Sequence, residues 1–238
     1  MKIYAHRGAS SDFPEMSMAA YMGAIEQGAD GFECDLRLTS DGVIVAWHDP
    51  DLKRIAGSPL VVSRSSYAQL IASHPIITLD ELLDLAIANK KDLALETKHP
   101  VPSGGAIERA ISQTLKTRAA EIERSGIDVV LMSFSWLATR RALKLGISSV
   151  YLSTHWLSLR FVKNRALGPS IQSLRRTPKI AQFARSDRST TSPESVKPVQ
   201  RVFVWTVDEI ADARLCRSLG VDVVITNRPG AIRTGLES

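Results

Sequence analysis

Asp30-Gly31-Phe32-Glu33-Cys34-Asp35-Leu36, followed by Thr39-Ser40-Asp41-Gly42 and Val43-Ile44-Val45-Ala46-Trp47-His48-Asp49, decides how the chain folds. A short apolar run bounded by Gly and Asp reads as a buried strand. Successive strand side chains face opposite ways, so Glu33 and Asp35 share one face while Phe32, Cys34 and Leu36 take the other. Two carboxylates on one face of a buried strand are costly unless a cation or a donor cluster compensates them. Asp41-Gly42 is a hairpin-type turn, which folds Val43–His48 back beside the first run. Upstream, Lys2-Ile3-Tyr4-Ala5 is a further strand that runs into His6-Arg7-Gly8. Two histidines and an arginine at neighbouring strand ends supply proton transfer and anion binding, a set suited to cleaving a phosphate ester.

Outward from that core, strand and helix signals alternate. Pro14-Glu15 opens a helical stretch with apolar positions at Met18, Tyr21, Met22 and Ile25, closed by Gly28. Thr78 and Glu81 form a capping box for a helix to about Asn89. Asp92–Lys98 is the third strand, with Glu96 and Lys98 on one face, and residues 106 to about 124 read as one long amphipathic helix. Strands follow over 128–132, 149–152, 167–171, 202–207 and 222–226, with helical stretches between them. Eight strands in βα alternation predict an α/β fold, a (β/α)8 TIM barrel forming a single domain over residues 1–238. Residues 50–77 are an irregular insertion after the second strand region, and 185–200, rich in Ser, Thr, Pro and charge, read as a mobile loop. A doubly wound sheet is the competitor, but the first βα turn lacks a Gly-rich phosphate fingerprint. Barrel active sites lie at the C-terminal strand ends, where His6, Glu33, Asp35, Glu96 and Trp205-Thr206 fall.

Composition excludes several classes. With 44% hydrophobic and 23% charged residues, the 238-residue chain is an ordinary globular protein. The net charge of +5 is local: residues 158–201 hold ten Lys and Arg against Asp187 and Glu194, or +8, leaving −3 elsewhere. That stretch lacks the interleaved aromatics of a nucleic-acid stacking platform, so it is read as a solvated face or a weak membrane-surface contact. Met1–Arg7 has no apolar signal region, and no stretch approaches the ~20 apolar residues needed to span a bilayer, so a cytoplasmic protein is expected. Cys34 and Cys216 have no zinc or redox spacing and are expected as reduced thiols.

Glu33, Asp35 and Glu96 offer only oxygen, which suits a hard divalent cation, Mg2+ or Ca2+, better than zinc. The alternative is a salt-bridge set with Arg7, Lys98 or Arg37. Among the remaining histidines, His99 and His155 are read first as packing residues, with the pocket rim as the alternative. Ser133 is either a substrate donor or a helix cap.

Taken together, His6-Arg7-Gly8, Pro14-Glu15, Glu33-x-Asp35, Thr39-x-Asp41-Gly42, His48-Asp49, Glu96-x-Lys98, Trp205-Thr206-Val207 and Gly220-Val221-Asp222 with Thr226 resemble the glycerophosphodiester phosphodiesterases, in order and spacing over nearly the whole chain. The resemblance implies a TIM barrel that hydrolyses small glycerophosphodiesters to glycerol 3-phosphate and an alcohol with a divalent cation. It implies Glu33, Asp35 and Glu96 as metal ligands and His6 and His48 as the general acid/base pair. Arg7 and Lys98 would contact phosphate, Glu15 would support the metal end, and Trp205 would line the pocket for the glycerol or alcohol moiety. Two positions depart from the family pattern: Met16 stands where asparagine is usual, and Asn227 where aspartate is common. Asn227 keeps capping ability but removes a charge, so a structural consequence is expected more than a catalytic one. Two other readings compete. One is phospholipase D-like cleavage of lysophospholipids or sphingolipids, with Ile55, Leu60, Val61, Val62 and the basic 158–201 stretch forming an apolar entrance. The other is a non-catalytic barrel that binds anions.

Overall fold

Eight parallel strands form a ring in the computed structural model, which describes residues 1–99, 104–159, 166–181 and 201–238. In chain order the strands are β1 (Lys2–His6), β2 (Gly31–Leu38), β3 (Ile44–Ala46), β4 (Asp92–Thr97), β5 (Val129–Ser133), β6 (Ser149–Ser153), β7 (Ala166–Pro169), β8 (Phe203–Val204) and β9 (Val223–Thr226). Their spatial order is β7-β6-β5-β4-β2-β1-β9-β8, with β3 antiparallel to β2 outside the ring. Parallel bridges from Leu167 to Val202 and from Ser170 to Trp205 join β7 to β8 and complete it. The expected TIM barrel is the observed fold. The 185–200 loop, and six of the ten basic residues of 158–201, fall outside the described residues.

Helices α1 (Met18–Glu26), α2 (Lys53–Ala56), α3 (Tyr67–Ile71), α4 (Leu79–Asn89), α5 (Ala106–Thr117), α6 (Ala119–Ser125), α7 (Trp136–Lys144), α8 (Trp156–Leu159) and α9 (Ile171–Arg176) connect the strands, and Ile210–Ser218 and Pro229–Glu237 follow β8 and β9. Phe32, Cys34 and Leu36 point outward from β2 into a layer shared with Tyr21, Leu82, Leu83, Ile107 and Ile111. The ring's interior is filled separately by Tyr4, Ala94, Val130, Met132, Val150, Leu152, Phe203, Val223 and Ile225, so it is a packed core and not a pore. The segment after His48 builds its own small core from Val45, Trp47, Leu52, Val62, Leu70 and Ile76.

Local signals decide most boundaries. The Thr78–Glu81 capping box forms as expected, with Glu81 N donating to Thr78 Oγ1 at 3.2 Å and Thr78 N to Glu81 Oε2 at 2.7 Å. Helix 1 opens at Ser17, whose hydroxyl caps Ala20 N at 3.1 Å, three residues beyond Pro14. The long helix expected over 106–124 is broken at Arg118, whose guanidinium instead bonds Asp84 and Glu121 at 2.7 and 2.6 Å. The strand read over 167–171 stops at Pro169, because Ser170 caps the next helix through Ser173 N at 3.2 Å. The one read over 202–207 shrinks to Phe203–Val204; Val202 and Trp205 beside it make the closing bridges, and Val207 N donates to Ile225 O at 2.8 Å.

Strand register sets the level of the site. His6 lies beside Glu33 across β1 and β2, and Asp35 lies beside Glu96 across β2 and β4. Gly8 follows at φ 82°, and a Cβ there would stand 2.6 Å from the Ala20 backbone, so only glycine lets this turn lie flat against α1.

Candidate active site

Arg7 leaves β1 in a left-handed conformation, φ 59°, with its N–H donating to Glu33 O at 3.0 Å and its carbonyl accepting from Met16 N at 2.8 Å. A non-glycine residue in this region carries strain of about 1–3 kcal/mol and persists where its surroundings over-determine it. The guanidinium Nε then sits 2.8 Å from Asp35 Oδ2. Lys98 approaches the same carboxylate from β4, with Nζ 2.7 Å from Asp35 Oδ1 and 2.7 Å from Glu96 Oε1. Met16 is also left-handed, φ 55°, a conformation asparagine tolerates better, and its side chain is packed in the outer core.

Glu33, Asp35 and Glu96 are all buried, and one carboxylate oxygen from each lies within 4.8 Å of the others. Three carboxylates against Arg7 and Lys98 leave one negative charge uncompensated. Glu33 is the carboxylate left without an Arg or Lys partner: Oε2 accepts no hydrogen bond among the described residues and lies 3.8 Å from His6 Nε2. Burial, with Asp35 and Glu96 as neighbours, pushes the Glu33 carboxyl well above its ordinary range. Burial and Asp35 push Glu96 up to about 7. Burial would raise Asp35 too, but Lys98 and Arg7 hold it below the usual carboxylate value. A hard divalent cation fits this donor set: it supplies the orphaned Glu33 oxygen with a partner and favours ionised carboxylates. With a dication the five groups carry +1, the complement of a phosphodiester's single negative charge.

Each histidine is oriented through Nδ1. The Asn227 amide donates to Asp208 Oδ2 at 2.6 Å, so its Oδ1 faces His6 Nδ1 at 2.7 Å and assigns the ring proton to Nδ1. His48 Nδ1 is 2.7 Å from Asp49 Oδ1, giving the same tautomer, while Arg37 Nε and NH2 hold the His48 carbonyl at 3.0 and 2.7 Å. Both rings therefore keep Nε2 as the acceptor. Burial lowers both imidazoles, helped at His6 by Arg7 and opposed at His48 by Asp49.

These groups open onto a cavity of about 240 Å3. His6, Arg7, Glu33, His48, Glu96 and Lys98 form its polar side, and Met132, Phe134, Leu152, Trp205 and Ile225 the apolar one. Trp205 is fixed by donation from Nε1 to Gly168 O at 2.8 Å and by edge contact with Phe134, ring centres 5.2 Å apart.

The structure brings eight of the nine sequence-predicted residues together around the pocket, Asp35 lying just behind its wall. Glu15 stands apart: it contacts Arg7 NH1 at 3.2 Å and Arg54 NH2 at 2.5 Å, so it reaches the carboxylates only through Arg7. Arg37 pairs with none of the three carboxylates. His99 bonds Glu108 at 2.8 Å, His155 is exposed, and Ser133 Oγ donates to Thr97 O at 3.0 Å, a structural contact. Asn227 is not a cap: the final helix has no side-chain cap at its start, and the amide serves His6 instead. Sequence reading also missed Asp208 and Arg54. Of the basic stretch, Arg175 pairs with Asp212 and Arg201 with Asp128, so part of its charge is compensated. Among the described residues no helix is long and apolar enough to cross a membrane.

Comparison with known proteins follows the same lines. The glycerophosphoryl diester phosphodiesterase family profile matches residues 6–231. A probable glycerophosphodiester phosphodiesterase 1 of Mycobacterium tuberculosis is 34% identical over 267 aligned positions, covering 99% of this chain and 92% of the relative. The crystal structure of a Thermotoga maritima glycerophosphodiester phosphodiesterase superposes with a TM-score of 0.77 at 24% identity, over 98% of this chain and 97% of that one. An Oleispira antarctica phosphodiesterase in complex with sn-glycerol-3-phosphate gives 0.77 at 20% identity, over 100% and 97%. Barrel, pocket and sequence agree, and the chain belongs to the glycerophosphodiester phosphodiesterase family of phosphoric diester hydrolases.

Proposed function

We propose that the protein hydrolyses small glycerophosphodiesters to glycerol 3-phosphate and an alcohol, using a divalent cation, Mg2+ or Ca2+, and the His6/His48 pair. The observation that carries the reading is the convergence of two Nδ1-anchored imidazoles, three carboxylates, Arg7 and Lys98 on one side of a single cavity. The Oleispira neighbour bound to sn-glycerol-3-phosphate supports the product assignment.

Glu33, Asp35 and Glu96 would hold the cation, which when bound supplies charge neutralisation at the phosphate oxygens. Arg7 and Lys98 offset the remaining phosphate charge and favour the charge that develops in the transition state. One imidazole Nε2 takes the proton of the attacking hydroxyl, and the other returns a proton to the departing alkoxide. Burial lowers the proton affinity of both rings, so the ring that serves as acid takes its proton from solvent when the phosphate anion lies beside it and favours the charged imidazole. The apolar wall of Trp205, Phe134 and Leu152 receives the carbon skeleton.

A second reading is favoured by one observation. Phe134, which lines the apolar wall from the turn after β5, and Leu137 and Leu157, in α7 and α8, are 46, 54 and 55% exposed. Such a rim suits a long acyl chain, and with it a weak contact of the basic 158–201 stretch with an anionic membrane surface. The discriminating experiment compares turnover of glycerophosphocholine with that of a long-chain lysophosphatidylcholine. At least tenfold higher kcat/KM on glycerophosphocholine is expected. The reverse order would transfer the assignment to lipid substrates.

A further inference from the structure

The segment that follows His48 contributes a guanidinium that joins two otherwise separate parts of the pocket. Arg54, in α2, places Nε 2.5 Å from Asp49 Oδ2 and NH2 2.5 Å from Glu15 Oε1. The other oxygen of each carboxylate is also committed. Asp49 Oδ1 lies 2.7 Å from His48 Nδ1, and Glu15 Oε2 accepts from Arg7 NH1 at 3.2 Å. One side chain thus holds the outer oxygens of two carboxylates whose inner oxygens orient an imidazole and a phosphate-facing guanidinium. We infer that Arg54 is a positioning residue that sets the His48 ring through Asp49 and the Arg7 fork through Glu15. The inference rests on the reading proposed above for His48 and Arg7.

The physical case turns on geometry rather than on the strength of an ion pair. Arg54 is 49% exposed, and an isolated surface pair of that kind contributes little to stability. Asp49 and Glu15 are only 19% exposed, so each loses its outer partner with limited water to replace it. A carboxylate released on one side is free to rotate, and the side chain on its other oxygen rotates with it. The two branches reach the barrel from different places: Glu15 from the turn after β1, Asp49 from the end of the β3 arm. No other described residue hydrogen-bonds or ion-pairs with both. A planar guanidinium serves two carboxylates at once in a fixed fork, whereas an ammonium is a single point charge on a flexible stem. The irregular segment is therefore part of the apparatus that orients the pocket, besides any role as a rim.

The test uses the full-length protein with saturating divalent cation and glycerophosphocholine. Misplacing reacting groups by about 1 Å costs on the order of 10²-fold. Arg54→Met is therefore expected to lower kcat by about 10–100-fold, with KM within about threefold of wild type and the melting temperature nearly unchanged. Arg54→Lys is expected to remain within about threefold of Arg54→Met, since charge alone does not restore the fork. In Asp49→Asn, adding Arg54→Met is expected to cost clearly less than it does in the wild type, because one of its two paths is already broken. The nitrogen resonances of the His48 ring give a readout independent of turnover. The wild type is expected to show the Nδ1–H tautomer, and Arg54→Met a mixture of tautomers. Wild-type kcat and unchanged His48 resonances in Arg54→Met would overturn the inference, as would full rescue by lysine or effects that multiply fully with Asp49→Asn. Absence of turnover in the wild type itself would count against the proposed function, and the His48 resonances would still decide the role of Arg54.

Discussion

Alanine at His6 or at His48 is expected to lower turnover of glycerophosphocholine by about 10²–10⁴-fold, the range contributed by a positioned acid or base. Each ring has one nitrogen tied down and the other aimed at the cavity, so truncation removes proton transfer without a substitute nearby. The fold is expected to tolerate both changes. The His48 side chain is 35% exposed and His6 21%, so little packing is lost. Asn227 Oδ1 keeps a donor in Ser10 Oγ at 2.8 Å when the His6 ring is gone. The double variant is expected to fall little further than either single one, because a pair that hands a proton across one reaction acts as a unit. Steady-state rates and urea midpoints measured together check this. Near-wild-type turnover in either single variant would remove that histidine from the proposed chemistry.

Asp35→Ala is expected to be damaging in a different way, abolishing turnover and costing about 3–5 kcal/mol of stability. Asp35 is fully buried and is the only described carboxylate that pairs with both Arg7 and Lys98, at 2.8 and 2.7 Å. Removing it leaves two largely buried cations with one carboxylate each, Glu15 for Arg7 and Glu96 for Lys98. Because its folded pKa is depressed, its stabilisation is present above the unfolded value of about 3.9 and is lost as pH falls through the lower folded value. Asp35→Ala should lack that acid limb. Glu33→Gln provides the contrast: Oε2 of Glu33 has no hydrogen-bond partner among the described residues, and its ionised form is disfavoured by burial. That variant is expected to lose turnover while the metal-free protein stays as stable as wild type or gains slightly. Urea unfolding of the metal-free proteins measures both, and equal losses in the two variants would contradict the charge arrangement described here.

Legibility from sequence follows the range of the interactions involved. The alternation in Phe32–Leu36 sorts two carboxylates inward and three apolar residues outward because that pattern is local and the strand is buried on both faces. The Thr78 capping box is legible for the same reason. Asn227 is not, because its contact with His6 spans 221 residues and exists only where β9 pairs with β1 in the ring. Its adjacency to the last strand invited a capping role, which the Asp208 contact redirects. Arg54 sits in a stretch without helical or strand period, so nothing local marks it, although the neighbouring His48-Asp49 pair was visible. The break at Arg118 depends on a partner in another helix, Asp84, and on Glu121 in the first turn of the helix that follows, which periodicity alone does not register.

The most direct test of the account is the release of glycerol 3-phosphate from glycerophosphocholine and glycerophosphoethanolamine, measured with chelator, with Mg2+ and with Ca2+. The expected result is turnover of both substrates that chelator abolishes and at least one of the two cations restores. Turnover indifferent to chelator would contradict the cation role of Glu33, Asp35 and Glu96. Absence of glycerol 3-phosphate under every condition would contradict the proposed reaction itself.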